Sequence, residues 1–253
     1  MSARYALYYA PSAGSALHAA VTPLFGRDAL NGTSSAPVPP EGSPFSADDW
    51  AAMVAAPAKY GLHATLKAPF ELSPRWEKEE WACELLMDVC RNIARRHEPF
   101  ATTPLELRAL NNGSGAFLAL TPSCGSASFG EANPGLCELE RDCVTAPDFF
   151  RAPLAEADIK RRGTLSSEEA EYLAVYGYHR VFNLFRFHLT LTGSLSEEQT
   201  SLAQQSLQRC LSPFLHRPLM VDGISLFRQK DRESPFTELA RFPLGMNNHR
   251  NIV

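Results

Sequence analysis

Two histidines in this chain are each followed, two residues later, by a threonine and then a leucine. His63 opens the run His63-Ala64-Thr65-Leu66, and His188 opens His188-Leu189-Thr190-Leu191. Around the first, YGLHATLKAPF (60–70) alternates like a strand. Leu62, Ala64 and Leu66 fall on one face, and His63, Thr65 and Lys67 fall on the other, each about 7 Å from the next. Around the second, FRFHLTLTGSL (185–195) sets Phe187, Leu189 and Leu191 against Arg186, His188, Thr190 and Thr192. One face reads as core, and the other presents an imidazole, a hydroxyl and a cation. A lone histidine on a half-exposed strand is more often a satisfied structural group than a reactive one. The recurrence lifts this pair above that reading. His18, His97, His179, His216 and His249 have no threonine at the same offset and read as structural or surface residues.

Two imidazoles facing one reacting atom can pass a proton in and a proton out. Histidine's unperturbed pKa of about 6.5 allows both protonation forms near neutrality, and each transfer is typically worth about 10² to 10⁴ in rate. Threonine hydroxyls on the same faces can donate to oxygens that gain charge. No H-E-x-x-H run and no Cys/His cluster of zinc spacing is present, so no metal or other cofactor is expected.

Positioning two such strands needs a substantial core. The 253 residues suffice for one large domain or two small lobes; 45% are hydrophobic and 21% charged. A net charge of −4 argues against a protein that coats duplex nucleic acid through its overall field. The six cysteines form no C-x-x-C pair and read as reduced thiols of a cytoplasmic protein. No apolar run has the length of a membrane span.

Along the chain, RYALYYAP (4–11) predicts a strand, 15–25 a short helix, and the Gly/Pro/Ser-rich stretch 31–45 a loop. Ser46 with Asp48 and Asp49 marks a helix start. Ser73-Pro74 opens a long helix over 75–97, with Trp76, Trp81, Leu85, Val89 and Ile93 as its apolar stripe. Strands near 103–110 and 116–121 are joined by NNGSG. Short helices fill 122–180, one of them capped by Ser166 and Glu169; Ser196 and Gln199 cap another that runs to Cys210. PLMVDGISLFRQ and FTELARFPL predict two closing strands, and 245–253 a frayed tail. The order motif strand, helix, strand, strand therefore occurs twice. It implies an α+β fold of two pseudo-symmetric lobes, with antiparallel sheets flanked by helices around a central cleft. The expected organisation is a single two-lobed domain over 1–253, with repeats at 60–121 and 185–243 and a helical insertion at about 122–180.

Paired H-x-[ST]-hydrophobic motifs in two such lobes resemble the 2H phosphoesterase superfamily. RYALYYAP, YGLHATLKAPF, FLAL, DFFRAP and YGYHRVFNLFRFHLTLTG resemble its phosphonate-metabolism branch over nearly the whole chain. One departure is GYHRV at Gly177–Val181, where that branch has GYPYV, so substrate contacts of this segment are expected to differ. The resemblance implies a metal-independent phosphodiesterase. His63 and His188 would serve as general acid and base on a small phosphorylated substrate, a cyclic phosphate foremost. Which histidine is acid and which is base stays open in the sequence. Thr65 and Thr190 would bind the phosphate.

Lys67, Arg186 and Tyr8 are further phosphate-binding candidates, each with a plain alternative: a solvated strand-end cation for the first two, a packed ring for Tyr8. Arg4 shares the face of Tyr8. A second phosphate would need a partner such as Arg151, Arg161 or Arg162, although a solvated helix end also explains the last two. Two other functions compete: an enzyme of RNA ends (cyclic phosphodiesterase or ligase), which calls for a basic groove with stacking aromatics, and a non-catalytic nucleotide-binding module.

Overall fold

The computed structural model describes residues 3–111, 115–160 and 162–246. The elements run β1 (Arg4–Tyr9), α1 (Ala16–Phe25), β2 (Arg27–Asp28), β3 (Thr33–Ser34), α2 (Ala47–Ala58), β4 (Ala64–Glu71), α3 (Pro74–Glu77), α4 (Ala82–Arg95), β5 (Phe100–Asn111) and β6 (Ala116–Pro122). They continue through α5 (Phe129–Ala132), α6 (Pro134–Thr145), α7 (Glu156–Lys160), α8 (Ser167–Tyr176), β7 (Leu189–Thr190), α9 (Glu197–Cys210), β8 (Pro218–Val221), β9 (Gly223–Gln229) and β10 (Phe236–Pro243). Two four-stranded antiparallel sheets carry the fold, in the orders β10-β9-β1-β4 and β7-β6-β5-β8, and the fold class is α+β.

The sheets do not each collect one repeat. Strands β5 and β6, which follow the His63 segment in the chain, share a sheet with β7 of the His188 segment, β6 pairing with β7, while β9 and β10 return to the sheet of β1 and β4, β9 pairing with β1. The crossing lies at Asp222, between β8 of one sheet and β9 of the other. The stretch predicted as one strand, PLMVDGISLFRQ, is therefore two. Each motif strand ends up at the edge of its sheet.

Those edges are covered. Beside β4 the Asp148–Ala152 segment adds backbone bonds, Ala152 N–H to Glu71 O at 2.8 Å and Ser73 N–H to Phe150 O at 2.8 Å. Beyond β7 the end of the motif strand is tied to α2 by Gly193 N–H to Met53 O at 2.7 Å. Covering an edge removes a template for unwanted pairing and fixes the strand's position.

Three helix starts follow their sequence signals: Ser46 accepts from the Asp49 backbone, and Ser166/Glu169 and Ser196/Gln199 form complete capping boxes. The helix predicted over 75–97 is broken, with α3 and α4 separated by Lys78–Trp81. Trp76 is drawn instead onto Phe149 and Phe150, and its Nε1–H donates to Phe149 O at 2.9 Å. The face α4 buries is Ala82, Leu86, Cys90, Ile93 and Ala94, leaving Trp81 exposed. The stripe read from Trp81 is thus displaced, because its first members belong to a separate turn. All six cysteines are free thiols, and no helix among the described residues is long and apolar enough to cross a membrane. The middle of the NNGSG turn and most of the predicted tail lie outside the described residues.

Candidate active site

Strand β4 brings Thr65 to the cleft from one sheet, along with His63, the residue just before the strand, and the β7 segment brings His188 and Thr190 from the other. All four line a single cleft of about 390 Å³ together with Arg4, Tyr8, Tyr60, Arg162, Tyr178 and Thr192. The volume suits a small molecule.

The two histidines are held alike. His63 Nδ1 lies 2.9 Å from Gly61 O, and His188 Nδ1 lies 2.8 Å from Arg186 O. A carbonyl oxygen can only accept, so in each ring Nδ1 carries the proton and donates it. In the neutral imidazole Nε2 is then the free base. Two residues separated by 125 positions thus share one tautomer, fixed by the carbonyl two residues upstream. Gly61 makes this possible at His63: its φ of +72° is open to glycine, and a Cβ there would sit 2.3 Å from the Ala29 Cβ.

Their surroundings differ. The Tyr8 ring packs on His63 with centroids 4.1 Å apart, and Tyr60 stacks on it at 5.4 Å. His188 has Phe117 at 5.9 Å. Burial pushes the His63 pKa down to about 4, the Gly61 carbonyl opposes the shift, and neighbouring His188 adds to it. Burial also lowers His188; the Arg186 carbonyl opposes that shift and the Arg180 charge reinforces it. Both shifts favour the neutral ring. A nuclear magnetic resonance titration of His63 is expected to find its midpoint near pH 4, well below the unperturbed 6.5. A midpoint above pH 6 would contradict the enclosure described here. Between pH 6.5 and 4 the unfolded chain binds the proton and the folded chain does not. The fold therefore loses stability as pH falls through that window, by about 3 kcal/mol at the end of it for this group.

Tyr8 is fully buried, lines the cleft, and has a hydroxyl without a hydrogen-bond partner among the described residues. It is both packed ring and available donor. Thr192 also borders the cleft, but its hydroxyl accepts from Leu118 N–H at 3.0 Å and donates to Gly193 O at 3.0 Å, so it anchors the motif segment to β6.

Lys67 is not in the cleft. Opposite Tyr8 the partner is Thr65, but opposite Leu7 it is Lys67, so β4 carries one extra residue, Leu66. This bulge turns Lys67 to the core side, where strict alternation would have kept it beside Thr65. The ammonium is 3% exposed and donates to Val144 O at 2.8 Å, at the end of α6, and to Asp148 at 2.8 Å. Ala68 and Pro69 take the place at the cleft. Arg186 likewise stands apart from the acid–base cleft. Its guanidinium donates to Asn183 O and Phe185 O and lies 5.8 Å over the Phe129 ring, bordering a neighbouring pocket beyond His188. The β7 ladder starts only at Leu189, so the alternation read through Arg186 has no strand beneath it.

Arg4, Tyr60, Arg162 and Tyr178 join the cleft. Arg4 is foreshadowed by its shared face with Tyr8, and Arg162 by the basic run 160–162. Tyr178 lies in the departing segment GYHRV, after Gly177, whose left-handed φ of +73° ends α8. Nothing in the local pattern marks Tyr60. Among the described residues no group of three His, Cys, Asp or Glu side chains is arranged to hold a metal ion.

The profile of the family described as a protein of unknown function, DUF1045, matches residues 65–237. The chain belongs to that family. Two curated relatives carry the name ribose 1,5-bisphosphate phosphokinase PhnN. One, from Laribacter hongkongensis (strain HLHK9), is 38% identical over 92% of this chain and 50% of its own length. The other, from Janthinobacterium sp. (strain Marseille), is 28% identical over 98% of this chain and 52% of its own. The DUF1045 chain thus spans about half the length of these relatives. No lysine in it follows a glycine, so it holds no G-x4-G-K-[ST] loop of the kind that cradles nucleotide phosphates in many kinases. Among solved structures, a phosphoesterase matches 97% of this chain and 100% of its own at 15% identity and a TM-score of 0.43. Escherichia coli LigT complexed with 3'-AMP matches the same shares at 17% identity and a TM-score of 0.43.

Proposed function

We propose that this protein is a phosphodiesterase that opens a small cyclic phosphate, with His63 as general base and His188 as general acid. The observation that carries the reading is the matched pair of Nδ1-anchored imidazoles in one cleft, each with its threonine beside it. A neutral His63, enclosed by two tyrosine rings, takes a proton from water through Nε2 as the water oxygen bonds to phosphorus. The opposite ester P–O bond breaks, and His188 Nε2–H protonates the departing oxygen. The product is a phosphomonoester, and a proton exchange with solvent resets the pair. His188 must be charged for this step. A phosphodiester anion between the rings supplies the opposite charge that raises its pKa. Thr65, Thr190 and the Tyr8 hydroxyl donate to the phosphoryl oxygens.

The names of the relatives point to ribose phosphates and, with the resemblance of the motifs, to phosphonate metabolism as the setting. A ribose-based cyclic phosphate is therefore the first substrate to try. In a screen of 1,2- and 2',3'-cyclic phosphates with EDTA present, phosphorus magnetic resonance is expected to show conversion of the cyclic diester to a monoester. Turnover confined to oligonucleotide ends would favour an RNA-end enzyme, and tight binding without product a non-catalytic module.

A further inference from the structure

We infer that the mouth of the cleft contains a second anion subsite, formed by Arg4 and Arg162, which seats a phosphomonoester borne elsewhere on the same substrate. This rests on the reading above for the anion held between the histidines.

Among the described residues, four arginines border the cleft and the groove that continues from it: Arg4, Arg151, Arg162 and Arg232. Two are neutralised. Arg151 donates to both oxygens of Asp148, at 2.9 and 3.1 Å, and spends further donors on Ala152 O and Val175 O. Arg232 donates to both oxygens of Asp158 and to Glu71, at 2.9 to 3.0 Å. The other two have no carboxylate within ion-pair distance among the described residues. Arg4 donates through Nε to the neutral amide of Gln229 at 2.6 Å, and its guanidinium lies 5.5 Å from the Phe236 ring centroid. Arg162 lies 5.4 Å from the Tyr178 ring centroid. Each keeps guanidinium N–H groups over for a ligand, and a planar guanidinium matches a phosphate through paired donors.

Their position is specific. Arg4 and Arg162 border both the cleft and the groove, along with Ala68 and Pro69, so they stand where the two compartments meet. β1 pairs with β9 in unbroken register from Arg4 to Tyr8, which leaves Arg4 and Tyr8 on one face with their Cα atoms roughly 13 Å apart. The second anion therefore sits away from the first, at the far end of a small ligand body rather than on the same phosphorus. A sugar phosphate and a nucleotide 5'-phosphate share this chemistry.

Binding of ribose 1,5-bisphosphate and ribose 5-phosphate, followed by titration calorimetry near physiological salt, tests the subsite without turnover. The wild type is expected to bind the bisphosphate at least tenfold more tightly than the monophosphate. Arg162→Gln should reduce that excess to under threefold. Arg4→Lys, which keeps the charge but loses the paired donors, should also shrink it. Arg75→Gln, whose guanidinium lies over Trp76 rather than along the cleft, should leave it intact. No preference in the wild type, an excess that survives in both cleft variants, or an equal loss in Arg75→Gln would overturn the subsite. Failure here leaves the cyclic-phosphate screen untouched, and failure of that screen leaves this measurement standing.

Discussion

His63→Ala and His188→Ala are each expected to lower kcat/KM on the cyclic substrate by at least 100-fold, and the double variant to lose little more than either alone. Each imidazole supplies one proton transfer typically worth about 10² to 10⁴, and groups that act as a unit are strongly non-additive. The two Nδ1 anchors are to backbone carbonyls, so neither substitution leaves a buried charge behind. The fold should survive, and circular dichroism with a thermal scan checks that it does. Turnover near the wild-type value in either variant would remove that histidine from the chemistry. The pH profile adds a second readout. With the free base held near 4, kcat/KM should not fall on the acid side until well below pH 6, unless ionisation of the substrate intervenes.

The largest effect on stability is expected at Asp148. Burial alone would raise its pKa, but hydrogen bonds from Arg151 and the charge of Lys67 outweigh that and hold it lowered. Burial lowers the Lys67 pKa, and Asp148 is what pulls it back up. Asp148→Ala would strand an ammonium that is 3% exposed, leaving the Val144 carbonyl as its one hydrogen-bond acceptor among the described residues and the Phe70 ring 5.4 Å away. Removing one partner of such a pair typically costs about 3 to 5 kcal/mol. Lys67→Met should cost much less, because the remaining carboxylate keeps Arg151. Denaturant midpoints of the two single variants and the double variant give the comparison. A loss below about 1 kcal/mol in Asp148→Ala would show that the pair is not the anchor described. By linkage, the contribution of Asp148 is present above the ordinary carboxylate pKa and is lost as pH falls through its depressed value.

The α+β class, the antiparallel sheets and the capped helix starts are legible in the residues because each follows from local periodicity or a side chain three positions away. The cleft row His63–Thr65 and its counterpart His188–Thr190 are legible for the same reason. Lys67 is not, because alternation cannot announce a bulge: the extra residue Leu66 is apolar, like any core position. The alternation read through Arg186 has no strand beneath it, so its place in the pocket beside His188, which Thr65 and Tyr178 also line, is not legible either. Arg4 is legible only as a residue on the face of Tyr8; that this face lines the cleft depends on β1 pairing with β4 and β9, and Tyr60 is held there partly by stacking on distant Phe236, which no window of a dozen residues contains. The exchange of strands between the sheets is hidden for that reason too; a repeat shows that two units are alike but not which strands they trade.

That exchange has a consequence during synthesis. The sheet bearing His63 begins with the fourth residue and is closed by strands ending at Pro243. As the nascent chain emerges from the ribosome, β1 and β4 can pair with each other early, but β1 lacks its other neighbour until β9 has been made. Contacts of such long sequence separation are slow to form. The sheet beside His63 is thus completed only by strands made after the His188 segment of the other sheet.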